Sequence, residues 1–151
     1  MYSCGTEKEI EPQLTQLNSP TSSLLQAISI VDQNTAWLSG HKASFVRTLD
    51  GGEKWELFRH PTADSLQFRD VHAFDSENAI LMSAGPGPLS RLFSFTAPDQ
   101  WEENFVMPDS LGFLDCIDFW DAQRGIAYGD AIDSAAGARR QRAVGVDRGH
   151  G

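Results

Sequence analysis

The feature that most constrains the fold of this chain is an internal repeat that occurs three times without gaps. Each copy has a short apolar run, a polar turn that begins with an aspartate, and a second apolar run. The copies occupy residues 28–40, 71–83 and 117–129. Their turn aspartates are Asp32, Asp75 and Asp121, so the spacings are 43 (75 − 32) and 46 (121 − 75) residues. A period of ~40 to 50 residues indicates an array of small supersecondary units, each of which packs against its neighbours.

The two apolar runs of each copy predict β-strands. In the first run apolar and polar side chains alternate, as in Ile28, Ser29 and Ile30, which is the period of two of a pleated strand. The first two copies are each followed by another apolar run, a turn and a tryptophan. With four short strands per repeat and no helical periodicity, the sequence predicts an all-β chain. The predicted architecture is a β-propeller fragment of about two and a half four-stranded blades. The predicted blades are residues 24–60, 66–107 and, in part, 112–133.

The segment from Thr48 to Trp55 carries the most specific motif. Its sequence, Thr-Leu-Asp-Gly-Gly-Glu-Lys-Trp, resembles the Asp-box pattern Ser/Thr-x-Asp-x-Gly-x-x-Trp. In such a turn Asp50 accepts hydrogen bonds from backbone N–H groups, Gly51 and Gly52 adopt positive φ, and Trp55 covers the hairpin. We interpret these residues as structural rather than catalytic. The second repeat has a shortened, degenerate version made of Thr96, Asp99 and Trp101.

The Asp-Gly-Gly doublet and the strand before it give residues 24–130 a family resemblance. They resemble BNR/Asp-box repeats, and most of all the photosystem II assembly/stability factor-like proteins, in a sialidase-superfamily-like set that includes sialidases, xyloglucanases and sortilin-type receptors. The resemblance implies a non-catalytic propeller that binds a protein or a glycan as an assembly scaffold in the bacterial cell envelope. The alternative that it implies is a fragment of a sialidase- or xyloglucanase-like glycoside hydrolase. The carboxylates available to such an enzyme are Asp115, Asp118, Asp121, Asp130 and Asp133.

Motifs for other chemistry are absent from the sequence. We find no Gly-x-Ser-x-Gly elbow, no phosphate-binding loop and no zinc-ligand spacing, so no catalytic residue, cofactor or metal site is predicted. Cys4 and Cys116 lie in dissimilar surroundings, which does not indicate a disulfide framework. The net charge of −9 disfavours nucleic acid as a partner. His72 and Asp118 occupy the repeat position of Ser29 on the predicted innermost strand, where packing or solvent contact is favoured over a role in the channel.

Residues 1–23 are rich in Pro, Ser, Thr and Gln, a composition that predicts a flexible tether. The small residue before Cys4 resembles the end of a bacterial lipoprotein signal, so Cys4 is a candidate lipidation site. A lipid anchor there would be the chain's one link to a membrane, at the cell envelope or in the periplasm. A cytoplasmic leader with a chance cysteine is the alternative.

Residues 134–151 are dominated by Ala, Gly and Arg and contain no tryptophan. This is the composition of GC-rich codons read in a wrong frame, and we expect an unstructured tail there. Because closed propellers have ~4 to 8 blades, we also expect the sheets of this chain to leave apolar faces and edges open.

Overall fold

The structure is a computed structural model that describes residues 11–61, 64–133 and 138–148, and only the backbone of residues 131–133 and 138–142. The described part contains eleven strands, which form three antiparallel sheets, and one short 3₁₀ turn (Gly87–Leu89). The predicted all-β class is therefore confirmed. Cys4, the candidate lipidation site, lies outside the described residues. Within those residues, no helix is both long and apolar enough to cross a bilayer.

In each sheet every strand pairs with the next strand along the chain. The first sheet consists of β1 (Leu25–Ile30), β2 (Ala36–Gly40), β3 (Ser44–Thr48) and β4 (Glu56–Arg59). The second consists of β5 (Phe68–Ala73), β6 (Asn78–Ser83), β7 (Arg91–Thr96) and β8 (Gln100–Val106). The third consists of β9 (Gly112–Phe119), β10 (Arg124–Asp133) and β11 (Ala138–Asp147).

The three repeated aspartates form the same turn in all three sheets, between the first and second strands. In each turn one carboxylate oxygen accepts hydrogen bonds from the backbone N–H groups two and three residues later. The N···O distances are 2.7 and 2.8 Å at Asp32, 2.7 and 2.7 Å at Asp75, and 2.9 and 2.8 Å at Asp121. The bonds satisfy turn donors that the ladder leaves unpaired, which is why this residue type recurs at this position.

The second sheet packs on both of its faces. Toward the first sheet lies an aromatic cluster in which the Phe45 ring is 5.1 Å from the Trp37 ring and 4.9 Å from the Phe95 ring. Toward the third sheet lies a second cluster of apolar residues, which comprises Ile80, Met82, Leu92, Met107, Leu114, Ile117 and Ala127. The alternation along β6 produces this arrangement, because successive side chains of a strand point to opposite faces.

The expected unstructured tail is a wrong prediction for Ala138–Asp147, which forms strand β11. This strand pairs with β10 along its whole length, from Asp133 opposite Ala138 to Arg124 opposite Asp147. Val144 and Val146 are half-buried against the second apolar cluster. The physical reason is that the edge of β10 offers a row of backbone donors and acceptors, which small residues satisfy as well as large ones. Residues 134–137 and 149–151 lie outside the described part.

The end of β11 also follows the repeat. The N–H of Arg148 donates to the carbonyl oxygen of Gln123 at 3.0 Å. The matching bonds in the first two sheets join Gly51 to Asn34 and Ala97 to Glu77, each at 2.9 Å. Strand β11 is therefore the third strand of the third repeat, in the position that β3 and β7 occupy in theirs.

Candidate functional site

The turn between β3 and β4 is closed by its own side chains. The Oγ1 of Thr48 accepts a hydrogen bond from the N–H of Gly52 at 2.9 Å and donates to Oδ1 of Asp50 at 3.0 Å. The same Oδ1 accepts from the N–H of Lys54 at 2.9 Å. Gly51 and Gly52 have φ of 71° and 94°, a region that favours glycine. Thr48, Asp50 and the two glycines thus act together to fix the shape of the hairpin.

Trp55 completes this turn but is only half-buried. Its Nε1 donates to the carbonyl oxygen of Gly52 at 3.1 Å, so the indole lies against the glycines. The ring also lines a groove on the outer face of the first sheet, together with Leu17 of the leader. The tryptophan therefore covers its hairpin on one side and remains accessible on the other.

The degenerate turn between β7 and β8 has a different arrangement. Thr96 donates from Oγ1 to Oδ1 of Asn78 at 3.0 Å, and Asp99 accepts from Nε1 of Trp101 at 2.9 Å. The Trp101 ring contacts the aromatic cluster, with its centroid 4.9 Å from that of Phe95. Thr96, Asp99 and Trp101 thus do not reproduce the network of the first turn.

Hydrogen bonds from the backbone hold the turn carboxylates in the ionised form. Amide donors lower the pKa of Asp32, chiefly the N–H of Asn34, and the pKa of Asp50, chiefly the N–H of Lys54. The N–H of Gln123 and the guanidinium of Arg124 lower the pKa of Asp121 to about 2. Burial pushes the pKa of Asp75 up, but its hydrogen bonds outweigh burial and the net direction is downward. Carboxylates held in this way are poor proton donors at neutral pH.

A second polar group joins β5 to β9. The Nδ1 of His72 is 3.3 Å from Oδ1 of Asp118, and the imidazole contacts the rings of Phe74 and Phe119, with centroids 5.0 and 4.8 Å away. Burial lowers the pKa of His72, and the Asp118 carboxylate opposes that change. The two residues that share the repeat position of Ser29 are thus brought together, in contact with packed aromatic rings.

Asp70 is a residue that the sequence reasoning missed. Its Oδ2 accepts a hydrogen bond from the N–H of Ile117 at 2.8 Å, which links the first strands of two neighbouring sheets. Ser29 makes a similar link one sheet earlier, from a position two residues further along the repeat, because its Oγ accepts from the N–H of Ala73 at 3.0 Å. Burial raises the pKa of Asp70, against the lowering effect of its backbone donors. No local motif marks either residue.

The candidate hydrolase carboxylates lie in different surroundings. Asp118 contacts His72, and Asp121 binds the guanidinium of Arg124 at 2.8 Å. Asp115 lies 4.0 Å from the guanidinium of Arg69, and Asp130 lies opposite Phe113 in the β9–β10 ladder. The side chain of Asp133 is among those not described. Among the described residues, no group of three His, Cys, Asp or Glu side chains is placed to hold a metal ion.

A polar cleft opens at the opposite ends of the strands, between the first and second sheets. It has a volume of about 370 Å³, and its lining includes His41, Lys42, Asp64, Ser65 and Gln67. The backbone at Lys42 has a φ of 59°, which is uncommon for a residue other than glycine. An isolated bridge between His41 and Gln67 fixes the two walls relative to each other. The lining thus includes one lysine, one aspartate and several other hydrogen-bonding groups.

Comparison with solved structures shows which architecture this arrangement belongs to. A structure of YCF48 bound to a D1 peptide matches with a TM-score of 0.60 and 20% sequence identity over 85% of this chain. A structure of YCF48 from Cyanidioschyzon merolae matches with a TM-score of 0.59 and 19% identity over 84% of this chain. The chain is a partial β-propeller. It spans 42% of each YCF48 chain, and each of its sheets is a blade.

At these identities the likeness shows the fold alone. No protein-family model matches the chain, and no curated protein sequence matches it either.

Proposed function

We propose that this chain is a non-catalytic propeller unit that binds a segment of another protein and serves as an assembly scaffold. The observation that carries the proposal is the structural likeness to YCF48, one of whose structures holds a D1 peptide. The likeness agrees with the resemblance of residues 24–130 to photosystem II assembly/stability factor-like proteins. A protein segment, rather than a glycan, is therefore the partner that we propose.

The cleft between the first two blades has chemistry that suits a peptide. Lys42 supplies a cation and Asp64 an anion, and the side chains of Ser65 and Gln67 supply hydrogen-bond donors and acceptors. A peptide offers a regular series of carbonyl and N–H groups and, at acidic positions, carboxylates for the lysine. Loops placed on a rigid β-scaffold are where binding residues concentrate. We propose this cleft as part of the peptide site.

The carboxylates argue for a scaffold rather than a glycosidase. A glycosidase needs two carboxyl groups that face one substrate bond. In this chain the turn acids bind backbone N–H groups, and Asp118 is engaged by His72. We also propose that the turn at residues 48–55 is an Asp-box and that the repeats are BNR repeats. The closed network of Thr48, Asp50 and Gly52 supports this assignment.

A fluorescence anisotropy titration tests the proposal. A labelled D1 peptide and a scrambled peptide of the same composition are titrated with the chain. We expect saturable binding of the D1 peptide alone, weakened by Lys42→Glu but not by Lys54→Glu, which makes the same charge change in the turn outside the cleft. Equal binding of both peptides, or an equal effect of both variants, would contradict the proposal. Release of dye from a fluorogenic sialoside or xyloglucan oligosaccharide would support the hydrolase instead.

We further propose that the protein belongs to the cell envelope and is anchored through lipid on Cys4. The support is the sequence around Cys4, which resembles the end of a lipoprotein signal. Growth of bacteria that express the protein with an alkyne-tagged fatty acid tests this directly. We expect label on the wild-type protein and none on Cys4→Ser, whereas Cys116→Ser is the control that keeps its label. Absence of label from the wild type would overturn the anchor.

A further inference from the structure

The three blades meet at two junctions, which differ in the loop between the second and third strands of the preceding blade. We call them the first junction, between the first and second blades, and the second junction, between the second and third. Ala43 and Ser90 occupy the same position in the two loops. Their carbonyl oxygens accept from the N–H groups of His60 and Met107, which follow the fourth strands, at 2.9 Å each.

Loop length determines how each junction is filled. From the end of the second strand to this shared position is three residues in the first blade (43 − 40) and seven in the second (90 − 83). The longer loop lies against the segment before β9, because a Cβ added to Gly87 would be 2.9 Å from the backbone of Ser110. The Oγ of Ser90 also accepts from the N–H of Leu114 at 2.9 Å. The longer loop thus occupies the second junction, whereas the first has the cleft of about 370 Å³.

Backbone hydrogen bonds on either side of Lys42 hold the short loop in a strained conformation. The N–H of Ala43 donates to the carbonyl oxygen of Leu66 at 2.8 Å, and the N–H of His41 donates to that of Leu24 at 2.9 Å. Within the described ranges, the residues other than glycine that have positive φ are Lys42, at 59°, and Ala43, at 44°. Strain of this kind persists where the surrounding structure enforces it, and it concentrates at ligand-binding sites. The backbone of Lys42 is therefore fixed at the edge of the cleft.

Two opposite charges line the cleft. The side chains of Lys42 and Asp64 are both exposed there. Among the residues that the structure describes, neither of them forms an ion pair. Lys42 belongs to the first blade and Asp64 to the segment that leads into the second, so each charge belongs to a different wall. A ligand that pairs with both must bring a carboxylate and a cation close together.

We propose that the cleft of the first junction selects a protein segment in which an acidic and a basic side chain lie close together. The acidic side chain pairs with Lys42, and the basic side chain pairs with Asp64. The backbone of the segment forms hydrogen bonds with Ser65 and Gln67, whose side chains line the same cleft. This inference rests on the proposed function, because it takes the ligand to be a segment of another protein. The longer loop excludes such a segment from the second junction.

The two charges determine which segment binds more than how tightly it binds. An exposed ion pair contributes little net free energy, because both partners are already well solvated. Like charges placed against each other are unfavourable, so a segment whose charges have the same sign is rejected at one of the two walls. The cleft volume of about 370 Å³ is at the small end of the ~300 to 1,000 Å³ of ligand pockets. It therefore suits a few residues of a segment rather than a folded domain.

Double-mutant cycles between the chain and its ligand test this inference. The probe is the labelled D1 peptide, in which each Asp or Glu is replaced in turn by its amide and each Lys or Arg by Gln. These peptides are titrated with the wild-type chain, with Lys42→Met and with Asp64→Asn. We expect one acidic replacement to weaken binding to the wild type by roughly fivefold and to have little further effect on Lys42→Met. One basic replacement should show the same relation to Asp64→Asn.

Lys42→Gly separates the charge of Lys42 from the shape of its turn. Glycine adopts positive φ without strain, so Lys42→Gly should melt at a higher temperature than Lys42→Met. Both variants lose the ammonium group, and we expect them to bind the D1 peptide equally weakly. Wild-type affinity in either variant would overturn the proposal.

Glu53 and Lys54 supply the matched control, because they are exposed residues of opposite charge in the turn outside the cleft. Glu53→Gln and Lys54→Met should have effects that simply add to those of every peptide replacement. If Lys42→Met and Asp64→Asn are also additive with every replacement, while the wild-type chain still binds the D1 peptide, this inference is wrong and the proposed function stands. If the wild-type chain does not bind the D1 peptide, the proposed function fails and this inference fails with it.

Discussion

The Nε1 of Trp37 donates a hydrogen bond to the carbonyl oxygen of Asp75 at 3.2 Å, across 38 residues of sequence. The bond joins the second strand of the first blade to the repeated turn of the second blade. The Trp37 side chain is fully buried and stacks on Phe45. Contacts of this kind make the sheets one unit, because they connect residues that no ladder connects.

Truncation of Trp37 should be among the most damaging single changes in the chain. We expect Trp37→Ala to lower the free energy of unfolding by about 3 to 5 kcal/mol, as loss of a buried large aromatic does. Trp37→Phe keeps an apolar ring and loses the hydrogen bond, so its cost should be smaller. Urea unfolding followed by circular dichroism measures both. A Trp37→Ala protein with an unchanged urea midpoint would contradict the packing described here.

Thr48 should matter more to stability than its counterpart Thr96. Thr48 is buried, and its hydroxyl accepts from the buried N–H of Gly52. Thr48→Val keeps the shape and leaves that donor unsatisfied, at a cost of about 1 to 3 kcal/mol. Thr96→Val is the matched control and should cost less, because Thr96 donates to the side chain of Asn78 rather than satisfying the backbone. Chemical denaturation of the two variants gives the comparison, and equal losses would argue against the turn network.

Acid should destabilise the chain through its turn aspartates. The folded pKa of Asp121 is about 2 and that of Asp32 is also below its ordinary value of 3.8, so the folded state favours the ionised forms. The stability from these groups is present above the unfolded pKa and is lost as pH falls through the folded pKa. Thermal melts between neutral pH and about pH 2 should show the melting temperature falling below about pH 4. Asp121→Asn should flatten this dependence, and an unchanged pH profile in that variant would count against the role of the turn.

The sequence predicted the repeated turns because the chemistry there is local. An aspartate whose carboxylate binds the amides two and three residues later needs no distant partner, so Asp32, Asp75 and Asp121 stand out at a regular spacing. The hydrogen bonds of Ser29 and Asp70 could not be read in the same way. Each depends on how two blades lie relative to each other, and the partner amide is more than 40 residues away.

The tail, by contrast, was predicted from the sequence, and the prediction of an unstructured segment was wrong for Ala138–Asp147. Its Ala, Gly and Arg content suggested disorder, because those side chains bury little apolar area. Strand β11 forms because backbone bonding to β10 does not depend on side-chain size, and Val144 and Val146 supply the apolar contacts. The location of Leu17 over the first sheet was likewise not visible in the sequence, since nothing local to Leu17 encodes it.

Val144 should stabilise the third sheet although its strand has an unusual composition. It packs against the second cluster, whereas its neighbour Ala143 is exposed. Val144→Ser should lower the free energy of unfolding by about 1 kcal/mol, in line with the apolar groups removed. Ala143→Ser is the control on the other face of the same strand and should change little. Urea midpoints decide the question, and an effect confined to Ala143→Ser would mean that β11 faces the other way.

The central claim is that the three sheets are successive blades, each bonded to the next through its first strand. Nuclear Overhauser spectroscopy on the isotope-labelled chain tests it most directly. We expect cross-peaks between the amide proton of Ala73 and the β-protons of Ser29, and between the amide proton of Ile117 and the β-protons of Asp70, because the bonded atoms are 3.0 and 2.8 Å apart. Absence of both cross-peaks, with the contacts within each sheet still present, would show that the sheets do not pack as neighbouring blades.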